Sequence, residues 1–178
     1  VVASRRNIEQ VEIPSSEIVF VGYGVVAPEY GWDDYKDVDV RGKTILMLVN
    51  DPAIPDIANP GALDSTMFRG KAMTYYGRWT YKYEIATEKG AAAAIIIHDT
   101  APAAYDWTVV RNGWSGPQFY LDSADGNAGS TALQGWITHE RARRLIEAGT
   151  RLVSVVAWCG LKPGDKFMSV ETWDMHGN

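Results

Sequence analysis

Ile18 to Asp51 reads IVFVGYGVVAPEYGWDDYKDVDVRGKTILMLVND, two hydrophobic runs around a loop rich in glycine, aromatic and acidic residues. The first run leads into Gly22-Tyr23-Gly24-Val25-Val26-Ala27, which fits the G-x-G-x-x-G/A pattern of a dinucleotide site. Such a site needs its third small residue to open a helix whose N–H groups face a pyrophosphate. Here Pro28 disfavours helix at Ala27, and Gly31 weakens any helix beyond it. Only Trp32 to Tyr35 has room for a turn, so the glycines lack the context of a nucleotide site. The second run, Thr44 to Val49, is continuously apolar after its first residue, which suits a strand buried on both faces.

Downstream, Pro52 to Gly70 holds three prolines and two glycines, a long loop of the kind that often carries function. Thr74 to Glu88 predicts a helix, with Tyr76, Trp79, Tyr83 and Ala86 on one face. Lys89 falls in its last turn and Gly90 caps it. The small residues Ala91 to Ala94 allow close packing, and Ile95-Ile96-Ile97 is a buried strand. Strand, loop, helix and strand make a parallel crossover from Thr44 to Ile97.

Upstream, Ile18 to Val26 reads as one strand, and Val1 to Pro14 as polar, irregular and then extended. Pro102 to Gly129 reads as loop. Ala132 to Ile137 is a short strand, and Thr138 caps a helix to Ala148 with Ala142, Leu145 and Ile146 inward. Leu152 to Trp158 and Phe167 to Trp173 are further strands. The expected fold is α/β, mixed and β-rich, with two main helices packed on a mixed sheet.

A chain of 178 residues defaults to one domain with a real core. At 46% hydrophobic and 22% charged it is globular. The net charge of -5 argues against a nucleic-acid partner, because Arg141, Arg143 and Arg144 alone read as a solvated helix face. Cys159 stands alone, so neither an internal disulfide nor a thiolate cluster is expected. No apolar run approaches a membrane span, and no signal peptide is visible.

Reactive constellations are incomplete. His139-Glu140-Arg141-Ala142-Arg143 begins like a zinc-protease helix, but its fifth position is a cation. His98-Asp99 follows the Ile95 to Ile97 strand with Asp51 at the end of its neighbour, and reads as a strand-end cap. Gly113-Trp114-Ser115-Gly116-Pro117 lacks the last glycine of a nucleophile elbow. Glu29, Asp33, Asp34, Asp37 and Asp39 lack calcium-loop spacing and read as a solvated acidic loop. Asp174-Met175-His176 offers two ligands beside the chain end. No catalytic, cofactor-binding or metal residue is therefore expected. One feature resists dismissal: a single helix face cannot bury all the rings of Tyr75, Tyr76, Trp79, Tyr81 and Tyr83. Some must face out beside Arg78 and Lys82, as a contact surface for a peptide or carboxylate.

Three stretches carry a resemblance: VFVGYGVVAPEYGWDDYKDVDVRGKTILMLVNDP from Val19, FRGKAMTYYGRWTYKYEIATEKGAAAAIIIHDTAPAAY from Phe68, and GWITHERARRLIEAG from Gly135. Together they closely resemble the protease-associated domain of bacterial di-zinc exopeptidases, aminopeptidases related to the glutamate carboxypeptidase and transferrin-receptor group. The match runs from Ser16 to Gly149, with residues 1–15 and 150–178 as flanking strands and linkers. The resemblance implies a swivelling β/β/α sandwich inserted in a secreted or periplasmic zinc aminopeptidase. It implies that two zinc ions and the general base belong to a peptidase domain of the same polypeptide, absent from this chain. The implied role is non-catalytic: covering the active-site cleft, shaping peptide access or binding proteins. Tyr75, Tyr76, Arg78, Trp79, Tyr81 and Lys82 are where such contacts are expected. The alternatives are a free-standing peptide- or carbohydrate-binding module, and an enzyme using His98, Asp99 or the Asp174–His176 pair.

Overall fold

The computed structural model describes residues 1–6, 10–13, 15–117 and 119–147. Its centre is the expected crossover. Strand β5 (Thr44–Leu48) runs parallel to β6 (Ala93–His98), pairing Thr44 with Ala93 through to Leu48 with Ile97. Strand β2 (Ile18–Phe20) joins β5 in parallel, and β7 (Leu133–Thr138) joins β6 in parallel. Strand β1 (Val2–Ala3) closes the far edge antiparallel to β7, giving the order β1-β7-β6-β5-β2. The fold is thus α/β on a mixed five-stranded sheet.

Strand alternation distributes the apolar runs to both faces. Ile45, Met47 and Ile96 share one core with Trp136 and with Tyr83 and Ala86 of helix α1 (Trp79–Glu88). Leu46 and Ile97 turn the other way and pack with Phe20 and with Ala142 of the C-terminal helix His139–Glu147. Each fully buried aliphatic side chain contributes ~1.5–3 kcal/mol, so the two cores fix strand register as well as stability.

Several local expectations are corrected. The Ile18 to Val26 run is two pieces, because Gly22 (φ +60°) and Gly24 (φ +64°) turn the chain between them. Strand β3 (Val26–Ala27) instead pairs with β4 (Trp32–Asp33) as a separate hairpin around a 3₁₀ turn at Pro28–Tyr30. An added Cβ at Gly24 would lie 2.6 Å from Met47 Sδ, so these glycines serve close packing. The predicted helix from Thr74 breaks at Arg78, whose extended backbone separates a 3₁₀ turn (Tyr75–Gly77) from α1.

The 102–129 stretch is not all loop: α2 (Thr100–Ala103) enters it and α3 (Trp107–Trp114) lies within it. The C-terminal helix, α4, starts after Thr138 as expected, but Leu145 is 37% exposed rather than inward. The strands expected at Leu152 to Trp158 and Phe167 to Trp173 lie outside the described residues, as does the Asp174–His176 pair.

Candidate functional site

The C-terminal ends of β2, β5, β6 and β7 gather the polar residues the sequence singled out. Past β5, Asn50 adopts a left-handed backbone (φ 76°) and donates from Nδ2 to Pro102 O at 2.9 Å. The Asp51 carboxylate accepts from Thr74 N at 2.6 Å and from Thr74 Oγ1 at 2.8 Å. It thereby anchors the start of the 3₁₀ turn. Gly77 closes that turn against the same loop, its N–H and C=O linked to Thr74 O and Asn50 N.

Lys82, on α1, points into this region and is fully buried. Its Nζ donates to Tyr23 O at 2.6 Å and to Asn50 O at 3.0 Å, tying the loops after β2 and β5 to the helix. Burial pushes its pKa down to about 7, with the charges of Asp34 and Asp51 acting the other way. Asp34 is likewise buried and accepts from Val25 N and Trp32 Nε1, each at 2.9 Å. Burial pushes its carboxyl up to about 6, against those two hydrogen bonds and the charge of Lys82. The expected solvated acidic loop is corrected at Asp34, which is internal.

Tyr75, Tyr76, Arg78 and Trp79 form the outer side of the turn and the start of α1. Tyr75 is 54% exposed and its hydroxyl donates to Glu84 at 2.6 Å. Tyr76 is half-buried and donates to Glu29 at 2.8 Å. Trp79 is 39% exposed, with its ring edge-on to Tyr83 at 6.1 Å and Trp114 at 5.9 Å. Arg78 is exposed between them.

Tyr81 and Lys82 do not belong to this surface. Tyr81 is buried, its hydroxyl accepting from Val26 N at 3.0 Å, with its ring 5.1 Å from that of Tyr76. They are inside because the following turn of α1 faces the strand-end loops, where two carbonyls take the amine.

The other candidates hold local structure or lie within it. His98 is buried, with Nε2 3.0 Å from Tyr105 O, and because a carbonyl only accepts, that nitrogen carries the proton. Asp99 caps α2 through Ala101 N. His139 sits in the first turn of α4. Among the described residues no three His, Cys, Asp or Glu side chains are grouped to hold a metal ion. None of their helices is long and apolar enough to cross a membrane. In comparison with known proteins, no family model, curated protein or solved structure matches this chain.

Proposed function

We propose that this chain is a protease-associated module of a secreted or periplasmic zinc aminopeptidase, and that it acts by contact rather than by chemistry. Support comes from the three stretches that resemble that domain and from an α/β fold in keeping with them. The observation that carries the reading is the division of labour at the strand ends. Lys82, Asp51, Asp34 and Asp99 each spend their polar atoms on backbone, capping or indole groups of this chain, while Tyr75, Arg78 and Trp79 stay at the surface. Aromatic rings beside a guanidinium suit a peptide or protein face. Its partners are then the peptidase domain of the same polypeptide and that enzyme's peptide substrate. By the same resemblance, the two zinc ions of such an enzyme would be held in its peptidase domain.

Two measurements test this. The purified chain is assayed for zinc by elemental analysis and for hydrolysis of a leucine anilide; substoichiometric zinc and no turnover are expected. In the polypeptide that carries this segment, Trp79→Ala is expected to raise KM several-fold for long peptides and leave kcat for the anilide unchanged. Stoichiometric zinc with turnover in the isolated chain, or equal kinetics for the variant on every substrate, would sink the proposal.

A further inference from the structure

A recess opens at the C-terminal end of β7, away from the Tyr75–Trp79 surface. It is a cavity of about 510 Å³ whose walls include Trp107 from the start of α3, Trp136, Ile137 and Thr138 from β7, and Arg141 and Arg144 from α4. That volume admits a small organic molecule or the end of a peptide.

Its chemistry is one-sided. Arg141 is exposed, forms no ion pair among the described residues, and stands in the first turn of α4, where its N–H is capped by Thr138 Oγ1. Arg144 follows one turn later and shares its guanidinium with Glu140, an exposed pair that a competing anion displaces at little cost. Helix N-terminal N–H groups add to the positive potential.

Trp136 lines the recess as a buried wall, 1% exposed, with its Nε1 shut off from solvent. The ring is fixed, with His98 at 6.4 Å and Trp114 at 6.3 Å between centroids. Trp107 also packs on His98, at 5.6 Å, so the aromatic wall is continuous.

The geometry points to a binding site here for an organic carboxylate. The guanidiniums of Arg141 and Arg144 take the carboxylate, and Trp107 and Ile137 take an apolar body. Planar guanidiniums match carboxylate geometry, and a flat apolar group stacks on indole. The site is independent of whether the chain serves a peptidase. Both a free aromatic acid and a peptide C-terminus present this chemistry.

The test uses the full chain, ¹⁵N-labelled, and follows the indole N–H signals of its seven tryptophans. Phenylacetate, its neutral analogue phenylacetamide, N-acetyl-Gly-Phe and inorganic phosphate are titrated separately. Phenylacetate is expected to shift the Trp107 and Trp136 signals saturably, and phenylacetamide to bind about tenfold more weakly or worse. The double variant Arg141→Gln, Arg144→Gln is expected to lose a similar factor while the remaining indole signals hold their positions. Tighter binding of N-acetyl-Gly-Phe assigns the site to peptide C-termini, and tighter binding of phenylacetate to free acids. Unmoved Trp136, equal affinity for acid and amide, or a phosphate response matching that of phenylacetate would overturn the assignment.

Discussion

A fully buried amine must either find a counter-ion or give up its proton, and Lys82 is placed to do the second. Its two acceptors are carbonyls, and a neutral amine still has two N–H bonds to give them. The unfolded side chain holds its proton up to about 10.5, and the folded one only to about 7. Between those values the unfolded chain binds more protons, so this residue makes stability rise with pH from about 7 to 10.5, and the gain is gone once pH has fallen to about 7. Asp34 works with the opposite sign in a lower window: its carboxyl is raised from 3.8 to about 6, so stability falls as pH climbs between them. Urea unfolding free energies measured from pH 4 to 9 should therefore dip near pH 6 to 7. Each limb is bounded by ~1.4 kcal/mol per pH unit for one proton. Lys82→Met should flatten the alkaline limb and Asp34→Asn the acid one. An alkaline slope that survives Lys82→Met would refute the assignment.

At the scale of elements, the 3₁₀ turn that presents Tyr75 is held by a close backbone approach. A Cβ on Gly77 would sit 2.9 Å from Asp51 N and 3.0 Å from Asn50 Oδ1, and that strand-end loop has no slack because Lys82 and Pro102 grip it. Gly77→Ala should cost roughly 1–3 kcal/mol by overpacking and alter the near-UV dichroism of the aromatic surface. Gly113, inside α3, has nothing within 4 Å of an added Cβ, so Gly113→Ala should stabilise by roughly 0.5–1 kcal/mol. If the two variants unfold at the same urea concentration, the turn is not held this way. The same packing explains what was legible. The crossover from Thr44 to Ile97 and the Thr138 cap were readable because unbroken apolar runs and a capping residue encode them locally. Helices α2 and α3 were not, since Pro, Gly and Trp disguise them; their signal was in Asp99 and Asp106, which cap them through Ala101 N and Thr108 N. The inward turn of Tyr81 and Lys82 was hidden because aromatic residues crowd α1 on every side, and lysine is ordinarily solvated. The recess at Trp136 was hidden for another reason: it joins residues from two helices and a strand.

For the whole molecule, the least local feature is the edge strand. Val1 and Trp136 exchange two backbone hydrogen bonds, at 3.1 and 2.9 Å, and Arg6 donates twice to Ser130 O, at 2.9 and 2.7 Å. Nothing in a polar N-terminal stretch announces a partner more than a hundred residues away, so periodicity has no purchase on it. Yet β1 sets the state of the sheet: β2 ends one side, and without β1 the six-residue β7 becomes the other edge, with unpaired N–H and C=O groups beside an apolar surface. Such an edge templates pairing with another chain. Deleting residues 1–6 removes these four hydrogen bonds, at ~0.5–1.5 kcal/mol each, together with the ladder bonds of β1, so the loss should be at least roughly 2–6 kcal/mol in urea unfolding. Sedimentation velocity over a range of concentrations should show the truncated chain self-associating while the intact chain keeps its sedimentation coefficient. Substituting Lys into the exposed edge of β7 should suppress that association without restoring stability, which separates edge pairing from general unfolding. A truncated chain that is as stable as the parent and does not associate would mean that β7 carries its own edge protection and that the N-terminal strand is decoration.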